Sequence, residues 1–179
     1  MKRILQSCLL KIYALVVRTG LLSNSWSRSL FLTTYDWYKL FVEAGNIESL
    51  QRYVKPGEIV IDIGANVGFF TKRFARWVSN GGFVIAVEPE TSNFRRLQWN
   101  LEKSGTAAVV RTVQGVAAEQ VGTLKLAVNP IHPGDHKIAL EGIDVTAFTI
   151  DELVRKGPSA RVCLMKIDVQ GAEERVLRG

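Results

Sequence analysis

The stretch EIVIDIGANVGFFTKRF, residues 58–74, constrains the rest of this chain more than any other. Residues 58–63 form a nearly continuous apolar run rich in β-branched side chains, the pattern of a strand covered on both faces. Lys55, Pro56 and Gly57 supply a turn before it, so the strand is expected to be buried and parallel. Gly64 and Gly68 then bracket Ala65, Asn66 and Val67. Beyond them Phe70, Phe74, Trp77 and Val78 recur at helical spacing, with Lys72, Arg73 and Arg76 on the other face. The reading is strand, tight turn and a helix that packs back on the strand.

A turn of this kind sets the N–H groups of a helix N-terminus at the carboxyl end of a central strand, where open α/β sheets bind ligands. A dinucleotide fingerprint, G-x-G-x-x-G, uses its middle glycine to let the backbone approach a pyrophosphate. Here Asn66 holds that middle position and the third glycine comes one residue early. Asp62, at the strand's end, would repel a diphosphate and attract a ligand ammonium or sulfonium. A cationic nucleoside therefore fits better than NAD, and S-adenosylmethionine has the required ammonium, sulfonium and ribose. A second strand, residues 83–87, ends in Glu88, about 20 residues past the turn, where a carboxylate can accept from both ribose hydroxyls.

VIDIGANVGFFT, AVEPE, TIDEL and LMKIDVQGAEERVLRG, in that order and at these spacings, resemble the FkbM family of S-adenosylmethionine-dependent methyltransferases. The similarity runs over residues 35–179. Its last block is close to the family's K-I-D-V-E-G-A-E, with Gln170 in place of the glutamate. The resemblance implies a Rossmann-like class I methyltransferase fold and O-methylation of a sugar or other hydroxyl acceptor. It also suggests that Gly115, Val116, Ala117 and Ala118 correspond to a small-residue stretch where an adenine ring lies against backbone; simple close packing is an equal reading. Gly134, Asp135, His136 and Lys137 resemble a G-D-H-[KR] element, which makes His136 a candidate base or acceptor ligand, against the plainer reading of a solvated loop histidine.

At 179 residues and 47% hydrophobic content, the chain has enough material for one domain with a real core. Its formal net charge of +6 is weighted to the start: Lys2, Arg3, Lys11, Arg18 and Arg28 all precede the first acid, Asp36. Residues 1–18 read as an amphipathic basic helix, with Arg3, Ser7, Lys11 and Arg18 on one face. Lys11 interrupts the apolar run, so neither a signal peptide nor a membrane span is expected. The helix either packs on the domain or on a second subunit, or lies on an anionic membrane surface. Residues 30–54, with Tyr35, Trp37, Tyr38, Phe41 and Tyr53, read as a helical cap whose aromatics pack in the core or line an acceptor pocket. No nucleic-acid motif is present. Cys8 and Cys163 stand far apart, which fits a reducing, cytoplasmic setting and implies neither a disulfide framework nor a zinc site. Asp144, Asp151 and Asp168 lack the spacing of a metal site.

Thr91 or Ser92 can cap a second helix whose buried stripe is Phe94, Leu97 and Leu101, closed by Gly105. Residues 108–113 form a third strand. Residues 124–128, 136–140 and 143–149 form an antiparallel insertion, and Thr149 or Asp151 caps a short helix. Residues 161–167 are the fourth core strand, with Asp168 at its carboxyl end facing the crevice of Asp62 and Glu88. Asp168 orients an acceptor hydroxyl, contacts the donor's methionine part, or caps the helix near Gly171. Glu173, one turn on, is a second site acid or simply favours the helix dipole.

The expectation is thus an α/β domain, residues 55–179, with core order 3-2-1-4, preceded by a helix and cap over residues 1–54. Asp62, Gly64, Ala65, Asn66, Gly68, Glu88 and Ala117 would contact S-adenosylmethionine, His136 and Asp168 would be catalytic, and no metal is implied. The sheet reads as incomplete after its fourth strand, which would favour self-association through that edge. Two rival readings are a non-catalytic methyltransferase-like module that binds a partner or membrane through its basic helix, and a nicotinamide-dependent oxidoreductase, which Asn66 opposes.

Overall fold

The computed structural model describes residues 47–78, 80–129, 136–155 and 160–179. The chain divides into two compact units, Met1–Ser49 and Leu50–Gly179, and the sheets below lie in the second. The basic helix, nearly all of the aromatic cap, His132 and Cys8 lie outside the described residues.

Strand β1 (Ile59–Ile63) is buried at all five positions, as its uninterrupted apolar sequence requires. It is flanked by β2 (Phe83–Glu88) and β8 (Val162–Ile167), and β2 pairs outward with β3 (Val110–Gln114). All three pairings are parallel, and the order β3-β2-β1-β8 is the expected 3-2-1-4. The third strand starts later than its sequence suggests, because a 3-10 turn (Ala107–Val109) takes its first residues.

Helix α1 (Phe69–Trp77) follows β1, and α2 (Thr91–Lys103) follows β2. The inward stripe of α1 is Phe69, Thr71, Phe74 and Ala75, with Val78 buried just beyond; Phe70 and Trp77 are only half-buried. Phe74 and Val78 thus face inward as expected, while Phe69, Thr71 and Ala75 take the remaining inward positions. On α2, Leu97 and Leu101 pack with Ala65 and Ala86, and Phe94 lies half-buried against them. Each such fully buried aliphatic contributes about 1.5–3 kcal/mol relative to exposure. Neither Thr91 nor Ser92 caps α2. The Glu90 carboxylate does, accepting from the N–H groups of Ser92 (2.9 Å) and Asn93 (2.7 Å).

The insertion forms a second sheet, ordered β4-β7-β5-β6, from β4 (Val116–Ala117), β5 (Gly122–Ala127), β6 (Lys137–Ala139) and β7 (Ile143–Phe148). β5 pairs antiparallel with β6 and β7, as expected. The sequence reading missed β4, which pairs parallel with β7 and so ties the insertion to the end of β3. α3 (Ile150–Arg155) is capped by Thr149, whose Oγ1 accepts from the Glu152 N–H at 3.1 Å; Asp151 has no part in the cap, and its own N–H donates to the Gly179 carbonyl. α4 (Glu173–Leu177) follows β8. No helix among the described residues is long and apolar enough to cross a membrane.

Candidate active site

The turn after β1 is held from three sides. Gly64 and Ala65 both donate their N–H groups to the Val87 carbonyl at 3.0 Å, which folds the turn over the end of β2. The Asn66 N–H donates to Oε2 of Glu88 at 2.8 Å, and the Asn66 side chain accepts from the Val67 N–H. Gly68 donates to the Ala65 carbonyl, while Asn100 of α2 donates to the Val67 carbonyl at 2.7 Å. Every N–H from Gly64 to Gly68 thus has an acceptor inside the protein. Sequence reasoning set the N–H groups of the helix N-terminus at the ligand; those of the turn before it are spent on shaping the turn.

Gly64 (φ 74°) allows a close approach at this point. A Cβ there would lie 2.1 Å from the backbone carbonyl oxygen of Asp168. The end of β8 therefore passes directly over the turn.

Glu88 is 4% exposed at the carboxyl end of β2. Besides Asn66, it accepts from the Glu90 N–H (3.1 Å) and the Asn93 side chain (3.5 Å). Burial pushes its carboxyl up to about 7, against the lowering effect of these hydrogen bonds. Three bonds on about four lone-pair sites leave room for one ligand hydroxyl, and a second fits only if Asn93, the longest of the three, turns away.

Asp62 is completely buried. Its Oδ2 accepts from the Thr71 hydroxyl at 2.6 Å, and its Oδ1 lies 3.1 Å from Nζ of Lys166, its register neighbour on β8. The ammonium that Asp62 meets here is a lysine's. Lys166 also donates to the Gly64 carbonyl (2.8 Å), lies 3.7 Å from Oδ2 of Asp168 and stacks over Phe70 at 5.2 Å. The sequence reading missed both Lys166 and Thr71. The signal for Lys166 was one cation in an otherwise apolar strand, beside a strand carrying one buried acid.

His136 is brought to the Glu88 side. Its Nδ1 accepts from the Asn129 N–H at 3.1 Å, so a neutral ring carries its proton on Nε2, which lies 3.4 Å from the Asn93 amide. The same Asn93 Nδ2 donates to Glu88 at 3.5 Å, so turning the amide over to meet Nε2 would give up that bond. Asp168 is brought to the Lys166 side instead. The side chain of Ala117 is buried in the main core cluster. Glu173 accepts from the Gly171 N–H at 3.2 Å, a local contact at the start of α4. Among the described residues, no three His, Cys, Asp or Glu side chains gather as a metal site.

An open parallel α/β sheet with its polar residues at the carboxyl ends of β1, β2 and β8 is the Rossmann-like arrangement of class I methyltransferases. The chain matches the Methyltransferase FkbM domain over residues 62–179, and it belongs to that family. It is 30% identical over 136 residues to the hexuronic acid methyltransferase AglP of Haloferax volcanii, covering 74% of this chain and 54% of that protein. It is 26% identical over 160 residues to the 31-O-demethyl-FK506 methyltransferase FkbM of Streptomyces tacrolimicus, covering 70% and 60%. A crystal structure of methyltransferase FkbM from Methylobacillus flagellatus superposes with a TM-score of 0.47 at 18% identity, over 69% of this chain and 29% of that one. The chain spans about half the length of the curated relatives it matches.

Proposed function

We propose that this domain binds S-adenosylmethionine over the 64–68 turn and transfers its methyl group to a hydroxyl of a sugar acid or similar acceptor. The carrying observation is that all five N–H groups of the turn are already bonded within the protein. The N–H groups of the turn itself are thus spent before a pyrophosphate could use them, whereas Glu88 and Asp168 set carboxylates at the crevice, the Lys166 ammonium being paired with buried Asp62, which suits a cation. The turn and Glu88 fit a nucleoside whose ribose donates hydroxyls.

When bound, the donor supplies an electrophilic methyl on a sulfonium. The protein's part is largely to hold the two reactants in line. Gly64, Ala65, Asn66 and Gly68 shape the floor, and Glu88 accepts from the ribose. Asp168 belongs on the donor side, because its backbone lies against Gly64 and its carboxylate beside Lys166. His136 would donate its Nε2–H to the acceptor in place of the long contact with Asn93. The sugar-acid assignment draws its support from the name of the Haloferax relative.

A thermal-shift series on the full chain tests the reading. Stabilisation by S-adenosylhomocysteine and none by NAD or NADP is expected; the reverse order would overturn it.

A further inference from the structure

We infer that Lys166 and Asp168 together read the α-amino-acid end of the methyl donor, Lys166 taking its carboxylate and Asp168 its ammonium, with Asp62 and Thr71 acting only to hold Lys166. This rests on the donor reading above and revises the part that Asp62 plays in it.

Asp62 has no exposed surface, and both of its oxygens point into the protein, one to Thr71 and one to Lys166. A ligand cation cannot reach it without displacing the lysine. The charge of Asp62 therefore acts at one remove, by fixing where the Lys166 ammonium stands. The lysine is anchored by two short contacts, to the Gly64 carbonyl at 2.8 Å and Oδ1 of Asp62 at 3.1 Å. Its remaining contacts are long: the Ile63 carbonyl at 3.4 Å, which already accepts from the Asp168 N–H, and Oδ2 of Asp168 at 3.7 Å. An ammonium has three N–H donors; the Gly64 and Ile63 carbonyls take two, and Oδ1 of Asp62 and Oδ2 of Asp168 flank the third within ion-pair distance.

The Lys166 side chain is 19% exposed and that of Asp168 is 48% exposed, so the pair borders the crevice where Asp62 does not. A cation and an anion side by side match a zwitterion, whose carboxylate and ammonium sit on one carbon. The place is also right, since the backbone of Asp168 lies against Gly64, the first residue of the turn beneath the proposed donor. A counter-ion that only neutralised Asp62 would need neither the Gly64 carbonyl nor a half-exposed acid beside it.

Calorimetry with two ligands tests this on the full chain: S-adenosylhomocysteine, and methylthioadenosine, which keeps the nucleoside and sulfur but lacks the amino-acid end. Lys166→Met should weaken S-adenosylhomocysteine about tenfold or more and leave methylthioadenosine unchanged. Lys166→Arg should recover part of the loss. Asp168→Asn, at an exposed side chain that folding tolerates, should show the same selectivity, and it carries the test if Lys166→Met does not fold. Equal weakening of both ligands, or of neither, would overturn the inference and leave Lys166 as a structural counter-ion. Wild-type protein that binds neither ligand would overturn the donor reading itself.

Discussion

The backbone N–H of Asn66 donates to Oε2 of Glu88 at 2.8 Å, so the turn after β1 and the end of β2 share one carboxylate. That carboxylate is both a structural clamp and the group proposed to meet the ribose. The two roles respond to pH in opposite directions.

Burial raises the Glu88 carboxyl from 4.5 to about 7 in the folded protein. Between those values the folded state binds the extra proton, so this contribution to stability is complete below the unfolded value and is lost as pH rises through about 7. The full span corresponds to about 3 kcal/mol at most. Thermal unfolding from about pH 5 to 8.5 should show a downward slope that Glu88→Gln flattens, whatever that variant's absolute stability. Affinity for S-adenosylhomocysteine should rise over the same range, because the ionised form is the better acceptor for a ribose hydroxyl. Affinity that stays level across pH 7 in wild type would remove Glu88 from the ribose site.

Gly64→Ala should be the most damaging substitution in the turn. Its Cβ would meet rigid backbone at Asp168, and φ 74° already disfavours any side chain. At Gly68 the obstacle is Cδ1 of Leu97 at 2.7 Å, the tip of a side chain that can move. Denaturant titration should give a larger loss for Gly64→Ala than for Gly68→Ala, each above about 1 kcal/mol. Equal losses would mean that backbone conformation alone sets the cost.

The central sheet was legible because β1 and β2 are short, nearly continuous apolar runs that end at a glycine or an acid, and β8 is apolar but for Lys166. β4 was not, because Val116–Ala117 is too short for any periodicity to register. The α2 cap was misread because Thr91 and Ser92 are the customary residues, while Glu90 reaches the same N–H groups from one position earlier. The turn after β1 was legible from the spacing of Gly64 and Gly68. Lys166 and Thr71 were not, since their partner Asp62 lies about 100 and 9 residues away and only the parallel register brings β8 beside β1. Asn93 was hidden for a similar reason: at an inward position of α2 it links Glu88 to a histidine 43 residues away.

If His136 serves as a hydrogen-bond donor to the acceptor rather than as a base, His136→Gln should retain most turnover and His136→Ala should lose it. General acid–base catalysis contributes about 100-fold or more, so a base would lose that much in both variants. Methyl transfer to a hexuronic acid, measured with saturating donor, separates the two. Loss in both variants would restore the base reading.

The basic helix expected over residues 1–18 is proposed to bind anionic membrane surfaces through Arg3, Lys11 and Arg18. At low salt the full chain should co-sediment with anionic vesicles and be released as ionic strength rises. A chain beginning at Ser29 that sediments equally well would leave packing as the segment's role.

The described sheet ends at β8, which pairs with β1 on one side. The Asp168 N–H donates to the Ile63 carbonyl, and since a strand's N–H groups alternate in direction, those of Met165 and Ile167 point away from β1. The strand's side chains are all half-buried, a mixed surface that neither repels nor fully covers an approaching strand. Among the described residues no strand pairs with the outer edge of β8, and we propose that a second copy of the chain pairs there, because such a backbone row is a template for another strand. The signature is local: hydrogen exchange at Met165 and Ile167 should slow as protein concentration rises, while exchange at Ile61, inside the sheet, should not change. A monomer at all concentrations, with Met165 and Ile167 as protected as Ile61, would show that the edge is already covered within the chain.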